Sequence, residues 1–146
     1  MPQLTFAMAP DGLPLPALVG LDAATVQQLA AQGQPPPSLI QVRCQIDTAT
    51  TVTAVVPSIL TALGAIPGRP GQTHTASGRT SVRSHLISFT VFDPTGINLA
   101  TLTRTIWQVT DLPQDLPDVD VLFGRDLVRQ LVLHIDGPAN KFTLVF

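Results

Sequence analysis

The sequence predicts a mostly β protein, and three observations carry that prediction. All ten acids are Asp, and the eight bases are seven Arg and Lys141, so the Glu and Lys that favour helices are almost missing. Fourteen prolines work against helix continuity. Apolar and β-branched residues recur at every second position in several short runs, and Gly, Pro, Asp and Asn separate those runs.

Taken in order, Gln3 to Ala7 alternates as a short strand and is followed by a turn at Pro10-Asp11-Gly12 and the apolar piece Leu15 to Leu21. A small helix is expected next. Asp22 is placed to cap it, Val26, Leu29 and Ala30 form its apolar stripe, and Gly33 stands where helices end. Gln34-Pro35-Pro36-Pro37 forces an extended turn. From Leu39 to Ile46 a strand places Ile40, Val42, Cys44 and Ile46 on one face. It delivers Asp47 into the hydroxyl-rich loop Asp47-Thr48-Ala49-Thr50-Thr51. Val52 to Val56 reads as a second β-branched strand, and Pro57 opens a short helix, Ser58 to Leu63, closed by Gly64.

Residues 66–78 are rich in Gly, Pro, Thr and Ser and are expected at the surface. Thr80 to Phe92 is a half-buried strand in which His85, Ile87, Phe89 and Val91 alternate with Ser84, Ser88 and Thr90. A turn at Asp93-Pro94-Thr95-Gly96 leads to the strand-like run Ile97 to Val109, and an acidic loop spans Asp111 to Asp118. Val121 to Phe123 is a short buried strand and Arg125 to Leu131 a helical turn or two. Val132 to Ile135 and Phe142 to Phe146 flank the turn Asp136 to Asn140 as a terminal hairpin.

The 146 residues fit one domain with a sizeable core. A net charge of −2 with scattered arginines gives no electrostatic footprint for nucleic acid. No apolar run approaches the roughly 20 residues of a spanning helix, and no basic-then-apolar leader opens the chain, so no membrane partner and a cytoplasmic location are expected. The single Cys44 excludes an intrachain disulfide.

Two stretches carry chemistry. One is the acid with its hydroxyls at Asp47-Thr48-Ala49-Thr50; the other is Leu122-Phe123-Gly124-Arg125-Asp126. Between them stand a β-branched strand, a Pro-led helix, a Gly-containing hairpin and two strands. With that order the chain resembles, over about residues 38 to 146, the retropepsin family, the single-domain aspartic proteases of retroviruses and their bacterial relatives. The resemblance implies a closed β-barrel with one or two short helices, residues 1–37 packing on or extending the sheet, and residues 68–83 forming a flap. It implies an aspartic endopeptidase acting as a homodimer on a peptide or protein substrate, with Asp47 catalytic and two copies of it sharing a proton. No metal or other cofactor is implied. Thr48 would hydrogen-bond across the dimer, and Gly124 would let the second motif pass beneath the Asp loop where a Cβ would clash. Thr75, Ala76, Ser77 and Gly78 of the flap would meet substrate, and His74 is a further contact candidate.

Two positions depart from the family pattern. Ala49 replaces the glycine after Asp-Thr, which keeps open the alternative of a peptide-binding dimer that has lost catalysis. Thr51 stands where viral members carry an acid, which leaves the partner of Arg125 open between Asp126 and a residue of the other chain. Arg125 is read as structural support.

Other clusters have plainer readings. Asp111, Asp115, Asp118 and Asp120 lack the order of a calcium loop and read as solvated. His74, His85 and His134 have no zinc spacing. Cys44 inside an apolar strand reads as packing, as does Trp107.

Overall fold

The computed structural model describes residues 1–114 and 116–146; Asp115 of the acidic loop lies outside the described residues. The strands are β1 (Gln3–Ala7), β2 (Leu13–Leu21), β3 (Ile40–Ile46), β4 (Ala54–Val55), β5 (Pro70–Thr75), β6 (Gly78–Phe92), β7 (Thr101–Asp111), β8 (Val121–Phe123), β9 (Val132–Asp136) and β10 (Lys141–Val145). Three short helices join them: α1 (Ala23–Ala31), α2 (Pro57–Leu63) and α3 (Arg125–Val128).

Six strands close on themselves in the order β2-β3-β8-β4-β7-β6, and β6 returns to pair with β2. The mostly β content is what the sequence predicts, and the closed barrel is what the resemblance implies, with three short helices in place of one or two. The ring mixes pairings: β3 runs parallel to β8 and β4 parallel to β7, whereas the other contacts are antiparallel. Closure gives every strand of the ring two neighbours over at least part of its length. Pro14 and Pro16 are tolerated in β2 because β6 pairs only with Ala17 to Leu21, so the missing N–H groups fall where β2 has one neighbour. A second sheet, β1-β10-β9, joins the two ends of the chain, with Gln3 opposite Val145 and Ala7 opposite Lys141.

The interior is filled by the faces that the two-residue period selects. Val42, Cys44 and Ile46 of β3 are buried together with Ile87, Phe89 and Val91 of β6 and with Leu15, Ala17 and Val19 of β2. Phe89 stacks at a tilt on Phe123, with ring centroids 5.0 Å apart, and meets the edge of the half-buried Trp107 at 5.7 Å. Cys44 is packed in this core, and burial pushes its thiol pKa far above the usual range, with the nearby Asp120 charge adding to the rise.

The helices follow their caps. Asp22, itself buried, accepts from the backbone N–H and the hydroxyl of Thr25 at 3.1 and 2.6 Å and so starts α1. Pro57 occupies the first turn of α2, and Gly64 ends it in the left-handed region at φ 70°. Among the described residues no helix is long and apolar enough to cross a membrane.

Two expected strands are shorter than their composition suggests. Of Val52 to Val56 only Ala54 and Val55 pair, because the N–H of Thr53 is taken by a carboxylate, Asp126, instead of a neighbouring strand. Ile97 to Ala100 form a loop, organised by the Asp93 carboxylate, which accepts from the N–H groups of Thr95 and Asn98. Ile97 and Leu99 are therefore exposed.

Candidate active site

Strand β3 ends at Ile46, and the parallel neighbour β8 ends beside it at Phe123. Both chains then leave the barrel at the same level. Asp47 still donates its backbone N–H to the Phe123 carbonyl at 2.9 Å, so the acid is held at the strand terminus. Beyond it the loop turns on its own side chains. Asp47 Oδ1 accepts from the N–H of Ala49 at 2.9 Å, Oδ2 accepts from the Thr50 hydroxyl at 2.9 Å, and the Thr50 N–H donates to the Asp47 carbonyl at 3.1 Å. These are the local bonds of an Asx turn, the ordinary chemistry of Asp at a strand end. A carboxylate has about four lone-pair sites, so each oxygen keeps capacity for a further donor.

The second motif holds this loop from below. The N–H of Arg125 donates to the Thr50 carbonyl at 2.8 Å and that of Asp126 to the Thr51 carbonyl at 3.2 Å. The two backbones are so close at Gly124 that a Cβ there would sit 2.8 Å from the Thr50 carbonyl oxygen and 3.1 Å from the Val52 carbonyl carbon. Glycine is required by this approach and not by its dihedral, since its φ is −93°.

Thr53 and Asp126 complete the support. Thr53 is fully buried; its hydroxyl donates to Asp126 Oδ1 at 2.9 Å and accepts from the Gly124 N–H at 3.2 Å. Asp126 also accepts from the N–H of Thr53 at 3.0 Å and from that of Leu127 at 3.0 Å. Arg125, meanwhile, reaches the Thr51 hydroxyl with Nη2 at 2.9 Å. Of the two partners that the sequence left open, Asp126 is not the one met: it bonds Thr53 and Leu127, and within the chain the guanidinium turns to Thr51.

A cleft of about 720 Å³ opens over the loop. Asp47, Ala49, Thr50 and Thr51 line one side and residues 72–76 of the β5–β6 hairpin the other, with Val82, Leu112 and Leu122 as apolar wall. The hairpin is paired in register from Pro70 opposite Arg83 to Thr75 opposite Gly78, and its tip is tied by the Thr75 hydroxyl donating to the Gly78 carbonyl at 3.0 Å.

The chain is similar to the crystal structure of a retropepsin-like aspartic protease from Rickettsia conorii, with a TM-score of 0.55 and 12% identity over 97% of this chain and 89% of that one. The fold is retropepsin-like. No protein-family model matches the sequence, and no curated protein matches it.

Within that fold, the structure gathers Asp47, Ala49, Thr75 and Ala76 around one cleft, with His74. Thr48 is exposed on the Asp loop, Gly124 and Arg125 lie beneath it, and Ser77 and Gly78 form the hairpin tip without lining the cleft. Ala49 is not among the residues with positive φ, which among the described residues and outside glycine are Asp118 and Asn140, so its methyl brings no backbone strain.

Sequence reasoning missed Thr53 and Asp126 as a supporting pair. The available signal was weak: a hydroxyl inside an apolar run, and an acid one residue after Gly-Arg. It also missed the exposed cluster in which Arg43 meets Asp118 at 2.9 Å and Asp120 at 3.2 Å. Asp120 is partly buried, which by itself raises its pKa, but the bonds from the Arg43 side chain and backbone and the guanidinium charge bring it below the usual carboxylate value. Two acids read as solvated are thus paired. Among the described residues no three His, Cys or acidic side chains gather as metal ligands.

Proposed function

We propose that the chain is one half of an aspartic endopeptidase and works as a homodimer, in which Asp47 of each copy faces the other across a two-fold axis. The observation that carries this reading is the position of Asp47, a half-buried carboxylate on a loop braced by the Gly124 motif, facing a cleft whose far side is the β5–β6 hairpin. In this reading the hairpin is a flap that closes over an extended peptide and excludes water.

Two carboxylates a few ångströms apart resist ionising together, so the pair holds one proton and titrates as a unit. The ionised member takes a proton from a water, whose oxygen adds to the scissile carbonyl carbon. The protonated member gives its proton to the carbonyl oxygen. Collapse of the resulting diol breaks the C–N bond as a proton passes to the leaving nitrogen. The Ala49 N–H and Thr50 hydroxyl orient each Asp47 carboxylate. Val82, Leu112 and Leu122 suit apolar side chains of the bound segment.

The second reading, a peptide-binding dimer without catalysis, draws on Ala49, whose methyl stands at the cleft where the family pattern has glycine. Peptide-library cleavage between acidic and neutral pH separates the two. Cleavage by the wild type, lost in Asp47→Asn, supports the peptidase. A silent wild type that becomes active as Ala49→Gly identifies the binding module. The homodimer is tested by sedimentation across a dilution series, and an active species that stays monomeric contradicts the half-site.

A further inference from the structure

The β5–β6 hairpin joins the barrel at Ser84 and His85, and this junction contains a buried imidazole that the proposed chemistry does not use. His85 is 7% exposed, in a strand face otherwise filled by Ile87, Phe89 and Val91. Its Nε2 lies 2.7 Å from Asp111 Oδ1. An ionised carboxylate only accepts, so Nε2 carries a proton and donates it. The other oxygen, Oδ2, accepts from the backbone N–H of Arg83 at 3.1 Å. One carboxylate on β7 thus grips β6 at two points, one main-chain and one side-chain, at the base of the hairpin.

The grip lies where the hairpin leaves the barrel. β5 pairs with β6 alone, and the ladder between β6 and β7 begins at Ser84 opposite Thr110. Among the described side-chain hydrogen bonds, the one from the Arg83 N–H to Asp111 is the one that ties residues 70–83 to another element. Asp111 is in turn fixed to the strand that follows the Asp loop. The Thr110 N–H donates to the Thr53 carbonyl at 3.0 Å, and the Leu112 N–H to the Val55 carbonyl at 2.8 Å. Thr53 is the residue that holds Asp126 and the Gly124 N–H. The carboxylate of Asp111 therefore references the hairpin to the segment that follows the Asp47 loop.

We infer that Asp111, clamped by His85, is a positioning residue that sets the angle of the flap over the cleft. The inference rests on the peptidase reading for its effect on turnover, but not for its effect on the hairpin. Asp111 touches no substrate and acts through Arg83. His85 keeps the carboxylate turned toward that N–H by occupying the other oxygen, and burial around the imidazole limits alternative rotamers.

The test is amide hydrogen exchange together with steady-state kinetics on Asp111→Ala, His85→Leu and His85→Gln. Asp111→Ala is expected to speed exchange across residues 70–83 about tenfold, the scale set by one charge-assisted hydrogen bond, while β2 and β3 amides stay as in the wild type. KM for a cleaved peptide rises by a similar factor, with kcat within about threefold. His85→Leu shows the same pattern, and His85→Gln, which keeps an N–H donor, returns toward wild type. Unchanged exchange in residues 70–83, or an increase spread evenly over the barrel, overturns the inference. If Asp111→Ala does not fold, the contrast between His85→Leu and His85→Gln decides it. A wild type that cleaves nothing defeats the peptidase reading alone, because the exchange comparison still decides the role of Asp111.

Discussion

Thr53→Val isolates the support beneath the Asp loop. The change keeps the branched shape and removes one hydroxyl from a fully buried site. Two bonds go with it: the donation to Asp126 Oδ1 at 2.9 Å, and the acceptance from the Gly124 N–H at 3.2 Å. A hydrogen bond to a charged group contributes about 1.5–3 kcal/mol, and a buried N–H left without a partner costs about 1–3 kcal/mol. Asp126 keeps the N–H groups of Thr53 and Leu127, so its carboxylate is not stranded and the lower half of each range applies. The expected loss is about 2–4 kcal/mol. Thr53→Ser is the control: it keeps both bonds and deletes a methyl, at about 1 kcal/mol. Urea denaturation of the three proteins gives the comparison, provided the slope m is common to them. If Thr53→Val is no less stable than Thr53→Ser, the hydroxyl does not brace the loop and the account of the site's rigidity fails.

Gly124→Ala is expected to cost about 1–3 kcal/mol, because the new methyl meets Asp126 Oδ1 and also the Thr50 and Val52 backbone, which cannot yield the space; a wild-type melting curve contradicts the close approach. Acid dependence follows from Asp120, whose folded pKa is depressed by Arg43. A depressed carboxylate adds stability above its unfolded value of about 3.9, and that stability is lost as pH falls through the folded pKa. Denaturant midpoints measured from pH 6 to pH 2 should fall below about pH 4, and Asp120→Asn should flatten part of that fall. An identical pH profile in the variant rules Asp120 out as a contributor.

The parts of the fold legible in the sequence were those governed by one local rule. The face Val42, Cys44, Ile46 and the face His85, Ile87, Phe89, Val91 follow from alternation alone, and Asp22, Pro57 and Gly64 mark helix ends by their backbone chemistry. Failures came where a side chain replaced a strand partner. Thr53 reads as strand by β-branching, yet its N–H goes to Asp126, an acid 73 residues away. The same distance problem hid Arg125 with Thr51 and Arg43 with Asp118 and Asp120. The adjacency of the two motifs was legible through the resemblance, but its physical basis, the parallel pairing of β3 with β8, depends on barrel closure and has no local signature.

Ala49 shows why composition at a motif position does not decide its chemistry. A glycine in such a loop serves one of two purposes, a positive φ or closeness to a neighbour. The first purpose is absent here, because Ala49 holds an ordinary φ and its N–H still reaches Asp47 Oδ1 at 2.9 Å. The methyl therefore leaves the geometry of the carboxylate intact, and what remains is its bulk at the cleft, beside the position that water and substrate share in the proposed reaction. That bulk acts on the occupant of the cleft and not on the loop. Accordingly, Ala49→Gly should change turnover or peptide affinity while leaving the melting temperature close to wild type. A large gain in stability with no change in either would mean that the methyl strains the loop after all.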